Sequence, residues 1–367
     1  MPEPLKNLYS AELIKALCQE LNGLYQKFDA KFFTDDIFDA QWGEKELKDR
    51  MAHISCSLYK QLPGAYPEAV EILKKASIHF SGFEYMFFPG FVELYGQDEF
   101  EVSIDALEHF TERASSEFAV RPFIKKYEAR MMAKMNSWAD SENHHVRRLA
   151  SEGCRPRLPW AMALPEFKND PAPVLRILNK LKDDESEFVR RSVANNLNDI
   201  SKDNPDVVRE LAKRWLGDTP ERDRLVKHAC RTLLKQGQPE ILMLFGFSNP
   251  GHIRVCDFVV QESVKMGGDL PFSFTLQSTR PLGKLRIEYA IDFMKKNGKP
   301  ARKIFKISES ENAGKEKLLR KSYSFREIST RKYYVGQHGI AVFVNGVEMA
   351  NGFFGLTKNQ GKGSGKH

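Results

Sequence analysis

Apolar positions recur every three or four residues through roughly the first 270 residues and every second residue after that, so the chain reads as helices followed by strands. Leu13, Ile14, Leu17, Leu21 and Leu24 line one helical face behind Ser10, whose hydroxyl is suited to cap the first turn. Similar amphipathic runs fall at about 44–60, 67–77 and 102–114, with Pro63-Gly64 and Pro89-Gly90 as turns between them. From about residue 117 a short pattern recurs: Phe118-Ala119-Val120-Arg121, His145-Val146-Arg147-Arg148, Phe188-Val189-Arg190-Arg191 and Leu225-Val226-Lys227-His228. The valines stand 26, 43 and 37 residues apart. The last two spacings lie near the roughly 40 residues of a HEAT-type helix pair, in which each unit buries its face against its neighbours.

After Gly267-Gly268 the period changes to two. Phe272, Phe274 and Leu276 share one strand face, and Leu285, Ile287, Tyr289, Ile291 and Phe293 share another. Asn297-Gly298 and Asn345-Gly346 are hairpin signals. Six or seven strands in some 90 residues fit an immunoglobulin-like sandwich without paired cysteines. The expected fold is therefore an all-α HEAT-like repeat solenoid over residues 1–268, a small all-β immunoglobulin-like sandwich over 269–357, and a disordered basic Gly-Lys tail over 358–367.

Charge adds a second asymmetry. The net charge is +7, yet residues 271–367 hold 19 Lys+Arg against 7 Asp+Glu while the rest hold 37 against 42. A basic appendage on a mildly acidic body suits a polyanionic partner as well as a merely solvated surface. Within the repeats, Arg147, Arg148, Arg190, Arg191, Lys227 and Arg231 recur at equivalent places and could build a positive track for phosphates; alternatively they pair with acids one turn away, as Glu187 could with Arg190 or Arg191. The five cysteines are scattered without a C-x-x-C pair, and His144-His145 do not share a helix face, so neither a disulfide framework nor a metal site is expected. No run approaches the roughly 18 apolar residues of a membrane helix, and the first residues lack a signal-peptide pattern. A cytoplasmic, nucleoid-associated monomer without cofactor is the expectation.

The chain has no P-loop, no strand-following G-x-G-x-x-G, no H-E-x-x-H and no G-x-S-x-G elbow. What remains as chemistry is carboxylates, arginines and a tryptophan. The segment from Asn143 to Trp160 is the most unusual: Pro156 and Pro159 stiffen the stretch after Gly153, which carries Arg155, Arg157 and Trp160. A lone tryptophan commonly plugs two helices together; two flanking arginines point instead to a ligand face.

Here the chain resembles the AlkC branch of the HEAT-like-repeat DNA glycosylases, in the variant with an immunoglobulin-like C-terminal domain. The resemblance spans essentially the whole chain and rests on Ser115-Ser116-Glu117-Phe118-Ala119-Val120-Arg121, on His144 to Trp160, on Arg190-Arg191-Ser192-Val193-Ala194-Asn195-Asn196-Leu197-Asn198-Asp199, and on Asn345-Gly346 with Gly352-Phe353-Phe354-Gly355-Leu356. It implies hydrolysis of the N-glycosidic bond of cationic lesions, chiefly 3-methyladenine and 3-methylcytosine, in double-stranded DNA, without drawing the base into a closed pocket. By position it implies Glu117, Glu152 and Asp199 as active-site carboxylates, with Asp203 close by as an alternative third, and Trp160 as the active-site aromatic.

These roles agree with the chemistry. An N3-alkylated base is already cationic and leaves without further protonation, so the site must stabilise an oxocarbenium-like sugar and place a water, much as paired carboxylates do for glycosides. The acids are expected at comparable ends of successive repeats, with the face of Trp160 against the sugar or lesion. The basic contacts to DNA are expected from Arg121, Arg147, Arg148, Arg155, Arg157, Arg190, Arg191, Lys227 and Arg231, and in the β-domain from two loops carrying Lys296 and Lys299, and Gln337 and His338. The competing readings are a HEAT-like scaffold without catalysis and a damage sensor that binds but releases nothing.

Overall fold

A computed structural model describes residues 3–328 and 331–358; all but Lys358 of the expected tail lies outside the described residues. The chain forms two compact units, Met1–Ala229 and Cys230–His367.

The first unit is helical. Its N-terminal part contains α1 (Ala11–Leu24), α2 (Ala30–Ile37), α3 (Leu47–Gln61), α4 (Tyr66–Ser77), α5 (Phe87–Tyr95) and α6 (Phe100–Thr111). The Ser10 hydroxyl caps α1 by accepting from the Leu13 amide at 3.3 Å, and Ile14, Leu17 and Leu21 are fully buried, as the periodicity requires. After a short helix α7 (Val120–Lys126), helices pair: α8 (Glu128–Trp138) with α9 (His144–Gly153), α11 (Ala172–Leu181) with α12 (Glu187–Ile200), and α13 (Pro205–Trp215) with α14 (Pro220–Ala229); the short α10 is Pro165–Asn169. The second helices α9, α12 and α14 pack side by side in that order, which is the repeat geometry the valine spacing predicts. Val146, Val189 and Val226 are buried at this seam.

The recurring arginine has a structural cause. Arg147 donates to the carbonyls of Ser141 (3.0 Å) and Glu142 (2.8 Å), and Arg190 donates to those of Asp184 and Glu185 (2.8 Å). In both repeats the guanidinium folds back onto the carbonyls six and five residues before it, fixing the turn that leads into its own helix. The marker Val120 behaves differently: it opens a helix of only 7 residues that follows an irregular segment, hence the short first spacing.

The second unit begins with α15 (Arg231–Lys235) and α16 (Pro239–Leu244) and continues as a sandwich of β1 (Ile253–Val260), β2 (Ser263–Lys265), β3 (Asp269–Ser278), β4 (Gly283–Met294), β5 (Pro300–Asn312), β6 (Glu316–Ser324), β7 (Gly336–Val344) and β8 (Val347–Thr357). One sheet has the order β1-β3-β6 and the other β2-β8-β7-β4-β5; only the β2–β8 pairing is parallel. Phe274, Leu276, Leu285, Ile287, Ile291, Ile340 and Val342 fill the space between them. Two strands thus precede the boundary expected at residue 268. The sequence of β1 conceals its period: Val259 is exposed, and a bulge between Cys256 and Val259 breaks the alternation.

Asn345 (φ 46°) and Gly346 (φ 79°) form the two-residue hairpin between β7 and β8, both left-handed as a type I′ turn demands. A Cβ on Gly346 would lie 2.8 Å from the Gly237 Cα, whereas one on Gly298 (φ 74°) would meet nothing within 4 Å. Both Gly→Ala changes therefore incur left-handed strain, on the order of 1–2 kcal/mol, but only Gly346→Ala adds a clash with backbone. Gly346→Ala should destabilise the β-unit by about 1–3 kcal/mol more than Gly298→Ala, read as the difference in their denaturant midpoints; equal midpoints would show that Gly237 gives way freely.

Candidate nucleic-acid interface and active site

Glu152 lies in the last turn of α9, and Asp199 near the end of α12, the equivalent place one repeat on. Helix packing brings these ends together, and Arg155, just beyond α9, bridges them: its guanidinium donates to Glu152 at 2.6 Å and to Asp199 at 2.8 Å. The Ser192 hydroxyl donates to the other Glu152 oxygen at 2.6 Å, and Lys202 pairs with Asp199 at 2.8 Å. On the opposite side Arg148 contacts Glu152 at 3.4 Å and pairs with Glu117, which also accepts from Ser115 at 2.8 Å. The result is one ladder of alternating charge, Glu117, Arg148, Glu152, Arg155, Asp199, Lys202. Glu152 and Asp199 are buried, whereas Glu117 retains partial exposure. Burial opposes the charge on Arg155, but Glu152 and Asp199 outweigh it and hold the guanidinium above its ordinary value.

The structure thus brings together all three sequence-predicted acids, with one difference in placement. Glu117 does not sit at the end of a repeat helix like the other two; it lies in the irregular segment before α7 and joins them through Arg148. Asp203 stands apart from the ladder: it is engaged by Arg157 at 2.8 Å, which lowers its pKa.

Trp160 occupies the loop between α9 and α10. It is 62% exposed, has φ 63° and meets Phe83 edge-on at 6.5 Å. A left-handed tryptophan costs on the order of 1–3 kcal/mol and persists only where its surroundings enforce it. Arg121 is one of those surroundings. It is wholly buried and donates to the carbonyls of Met162 (2.7 Å), Gly153 (2.8 Å) and Arg155 (2.9 Å). Burial pushes its pKa down to about 10. The sequence reading gives Arg121 and Arg155 to DNA phosphates, but neither guanidinium faces solvent: one is consumed by loop carbonyls and the other by two acids. Arg147 is likewise committed, to its turn and to Asp184 at 2.6 Å.

Arg148 is held in the ladder by Glu117 and Glu152, and Arg190 by the carbonyls of its turn, whereas some of the other predicted contacts keep their exposure. Arg191 is open to solvent and pairs loosely with Glu187 at 3.0 Å, lining with Arg190, Arg224 and His228 a groove of about 220 Å³ between α12 and α14. Neither Lys227 nor Arg231 is without a partner, and they fall in different units of the chain. In the β-unit, Lys296 and Lys299 are exposed around the β4–β5 turn. Lys295, Lys296, Arg302, Lys303, Arg331 and Lys332 surround a concavity of about 680 Å³ with Phe293 and Tyr334. Lys303 is held below its ordinary value, first by burial and then by Arg331, Lys235 and Lys295.

The expected loop at Gly336–Gly339 is instead the start of β7. Gln337 is exposed there, but His338 is 1% exposed, accepts from the Met294 amide at 3.3 Å and stacks on Phe354. It is a core histidine whose burial lowers its pKa; strand pairing to β4 and β8 turns it inward. Residues that sequence reasoning missed are Ser192, Ser115, Lys202 and Lys48, the last 112 positions from the Trp160 carbonyl it contacts. Ser192 falls within a run already singled out; nothing in the sequence points to Lys48. Among the described residues no group of His, Cys, Asp or Glu is arranged to hold a metal ion, and no helix is long and apolar enough to cross a membrane.

Comparison with known proteins agrees with this architecture. Residues 97–233 match the family described as DNA alkylation repair enzyme, and residues 254–358 match the C-terminal Ig-like domain of the uncharacterised protein YhaZ. The uncharacterized protein YhaZ of Bacillus subtilis (strain 168) is 46% identical over 344 residues, covering 93% of this chain and 96% of that protein. Among solved structures, the Pseudomonas fluorescens alkylpurine DNA glycosylase AlkC, bound to DNA containing an abasic site analog, matches with a TM-score of 0.92 at 38% identity, covering 97% of this chain and 100% of that one. The chain therefore belongs to the DNA alkylation repair enzyme family, in the AlkC-type branch whose helical repeats are followed by an immunoglobulin-like domain.

Proposed function

We propose that this protein is a monofunctional DNA glycosylase that hydrolyses the N-glycosidic bond of cationic alkylated bases, 3-methyladenine and 3-methylcytosine, in double-stranded DNA. The observation that carries the reading is the joining of Glu117, Glu152 and Asp199 into one ladder at the meeting of α9 and α12. The whole-length similarity to an alkylpurine DNA glycosylase supports it. On this reading the lesion supplies its own leaving-group charge, the carboxylates stabilise the cationic sugar and orient water, and exposed Trp160 packs on the sugar or base. A tryptophan on an open face suits excision without flipping into a closed pocket. The protein acts as a monomer in the bacterial cytoplasm, at the nucleoid, with no cofactor.

A second reading, binding of damage without excision, draws on the closure of Glu152 and Asp199 by Arg155. Chromatography of bases released from methylated DNA separates the two. Glu152→Gln should lower the single-turnover rate of 3-methyladenine release by about 100-fold or more, the scale of losing one electrostatic contribution to a transition state, while DNA affinity changes little. An unchanged rate in Glu152→Gln, Asp199→Asn and Glu117→Gln alike would place the chemistry elsewhere.

DNA engagement follows from the two basic surfaces, Arg191 with its groove and the Lys296–Lys299 turn beside the β-unit concavity. Each phosphate contact contributes about 0.9 to the slope of log affinity against log salt. Lys296→Gln combined with Lys299→Gln should weaken binding to undamaged and methylated duplex alike and reduce that slope by about 1–2. Equal slopes for variant and parent would remove this turn from the interface.

A further inference from the structure

Among the described residues of the helical unit, Trp160 is the only non-glycine residue with a left-handed φ, and its own loop does little to enforce that conformation. Within residues 154–164 the backbone bonds are long, Ala161 N to Leu158 O at 3.3 Å and Leu164 N to Pro156 O at 3.2 Å. Two cations from other helices supply the constraint. Arg121 of α7 takes the carbonyls of Gly153, Arg155 and Met162, on either side of Trp160. Lys48 of α3 takes the Trp160 carbonyl itself at 2.8 Å, with its ammonium 4.8 Å from the centre of the Phe118 ring.

Lys48 forms no ion pair among the described residues, although it is exposed and could swing toward Asp49 or Glu93, both lining the same cavity of about 290 Å³. Its ammonium donates to one peptide carbonyl and lies by one ring face, and Glu93 feels its charge without pairing with it. Relaxing φ of Trp160 to the right-handed region turns the chain beyond its Cα about the N–Cα bond, which would carry the Trp160 carbonyl away from the ammonium and break that hydrogen bond.

We propose that Lys48 is a positioning residue of the site: with Arg121 it pins Trp160 in its left-handed conformation and so keeps the indole presented on the loop that follows Arg155 of the carboxylate ladder. The inference rests on Trp160 being the site's aromatic, as the proposed function has it. It extends the site to α3, outside the segment 97–233 that matches the repair-enzyme family.

Lys48→Met keeps about the length of the side chain and removes its donor and charge, at an exposed position of α3. The single-turnover rate of 3-methyladenine release from methylated duplex should fall about tenfold with DNA affinity within about twofold of the parent. Lys48→Arg should recover most of the rate. Because Lys48 acts through Trp160, the Lys48→Met, Trp160→Ala double variant should be no slower than Trp160→Ala alone. The amides of Ala161 and Leu164 should exchange hydrogen several-fold faster in Lys48→Met. Multiplying rate losses, a loss confined to affinity as for a simple phosphate contact, or unchanged exchange at those amides would each overturn the proposal. Should the parent protein release no base at all, the reading of the function falls, and the exchange measurement alone decides the clamp.

Discussion

The bridge that Arg155 makes between Glu152 and Asp199 is the contact on which the rest of the site depends. Two carboxylates buried at neighbouring helix ends repel each other, and each loses hydration worth several kcal/mol on burial. A planar guanidinium placed between them with bonds of 2.6 and 2.8 Å offsets both costs at once and locks the end of α9 against the end of α12. Everything else is arranged around that lock. Ser192 occupies the second oxygen of Glu152, Arg148 extends the ladder to Glu117, and the chain leaving Arg155 is the loop that carries Trp160.

The helical repeat was legible because its cause is local: a buried valine at the seam recurs in each unit and leaves a mark on the sequence. The arginines of that pattern were legible as recurrent but not as to role. Arg147 and Arg190 serve the same turn in successive repeats, whereas Arg148 and Arg191, one position later, face different surroundings. Arg148 meets Glu117 from another segment as well as Glu152 one turn on in its own helix, and Arg191 pairs with Glu187 one turn back on its own helix. Periodicity reports that a position repeats; what it meets is set by tertiary neighbours from tens of residues away. The same distance hides Lys48 behind Trp160 and made Arg121, a wholly buried cation, read as a surface charge.

In the β-unit the alternation in β3 and β4 gave the inward faces correctly, since Phe274, Leu276, Leu285, Ile287 and Ile291 are all fully buried. The failures came where alternation is broken or both faces are covered. The bulge in β1 masks a strand, and Gly336 with Gly339 made the start of β7 look like a turn although its amides and carbonyls pair with β8 and, at Gly339, with β4. Two glycines three apart satisfy the composition of a loop, but a cross-strand partner decides the conformation. Gly339 has a packing reason: a Cβ there would come within 2.9 Å of the Asp292 carboxylate, which Arg302 holds in place.

The ladder also bears on how an acidic site can approach a polyanion. Three bare carboxylates in one place would repel phosphates across the roughly 8–10 Å over which charges act in physiological salt. Pairing each with Arg148, Arg155 or Lys202 makes the site close to neutral at that range. At contact distance the cancellation fails, because a group touching one carboxylate oxygen is much nearer to it than to the cation behind. Glu117 fits that requirement best: it ends the ladder, keeps partial exposure and commits Oε2, not Oε1, to Arg148 and Ser115. On the glycosylase reading, a cationic sugar formed against this face would feel an acid, whereas the approaching duplex would not, and the arginines that close the site are what permit it to be acidic at all.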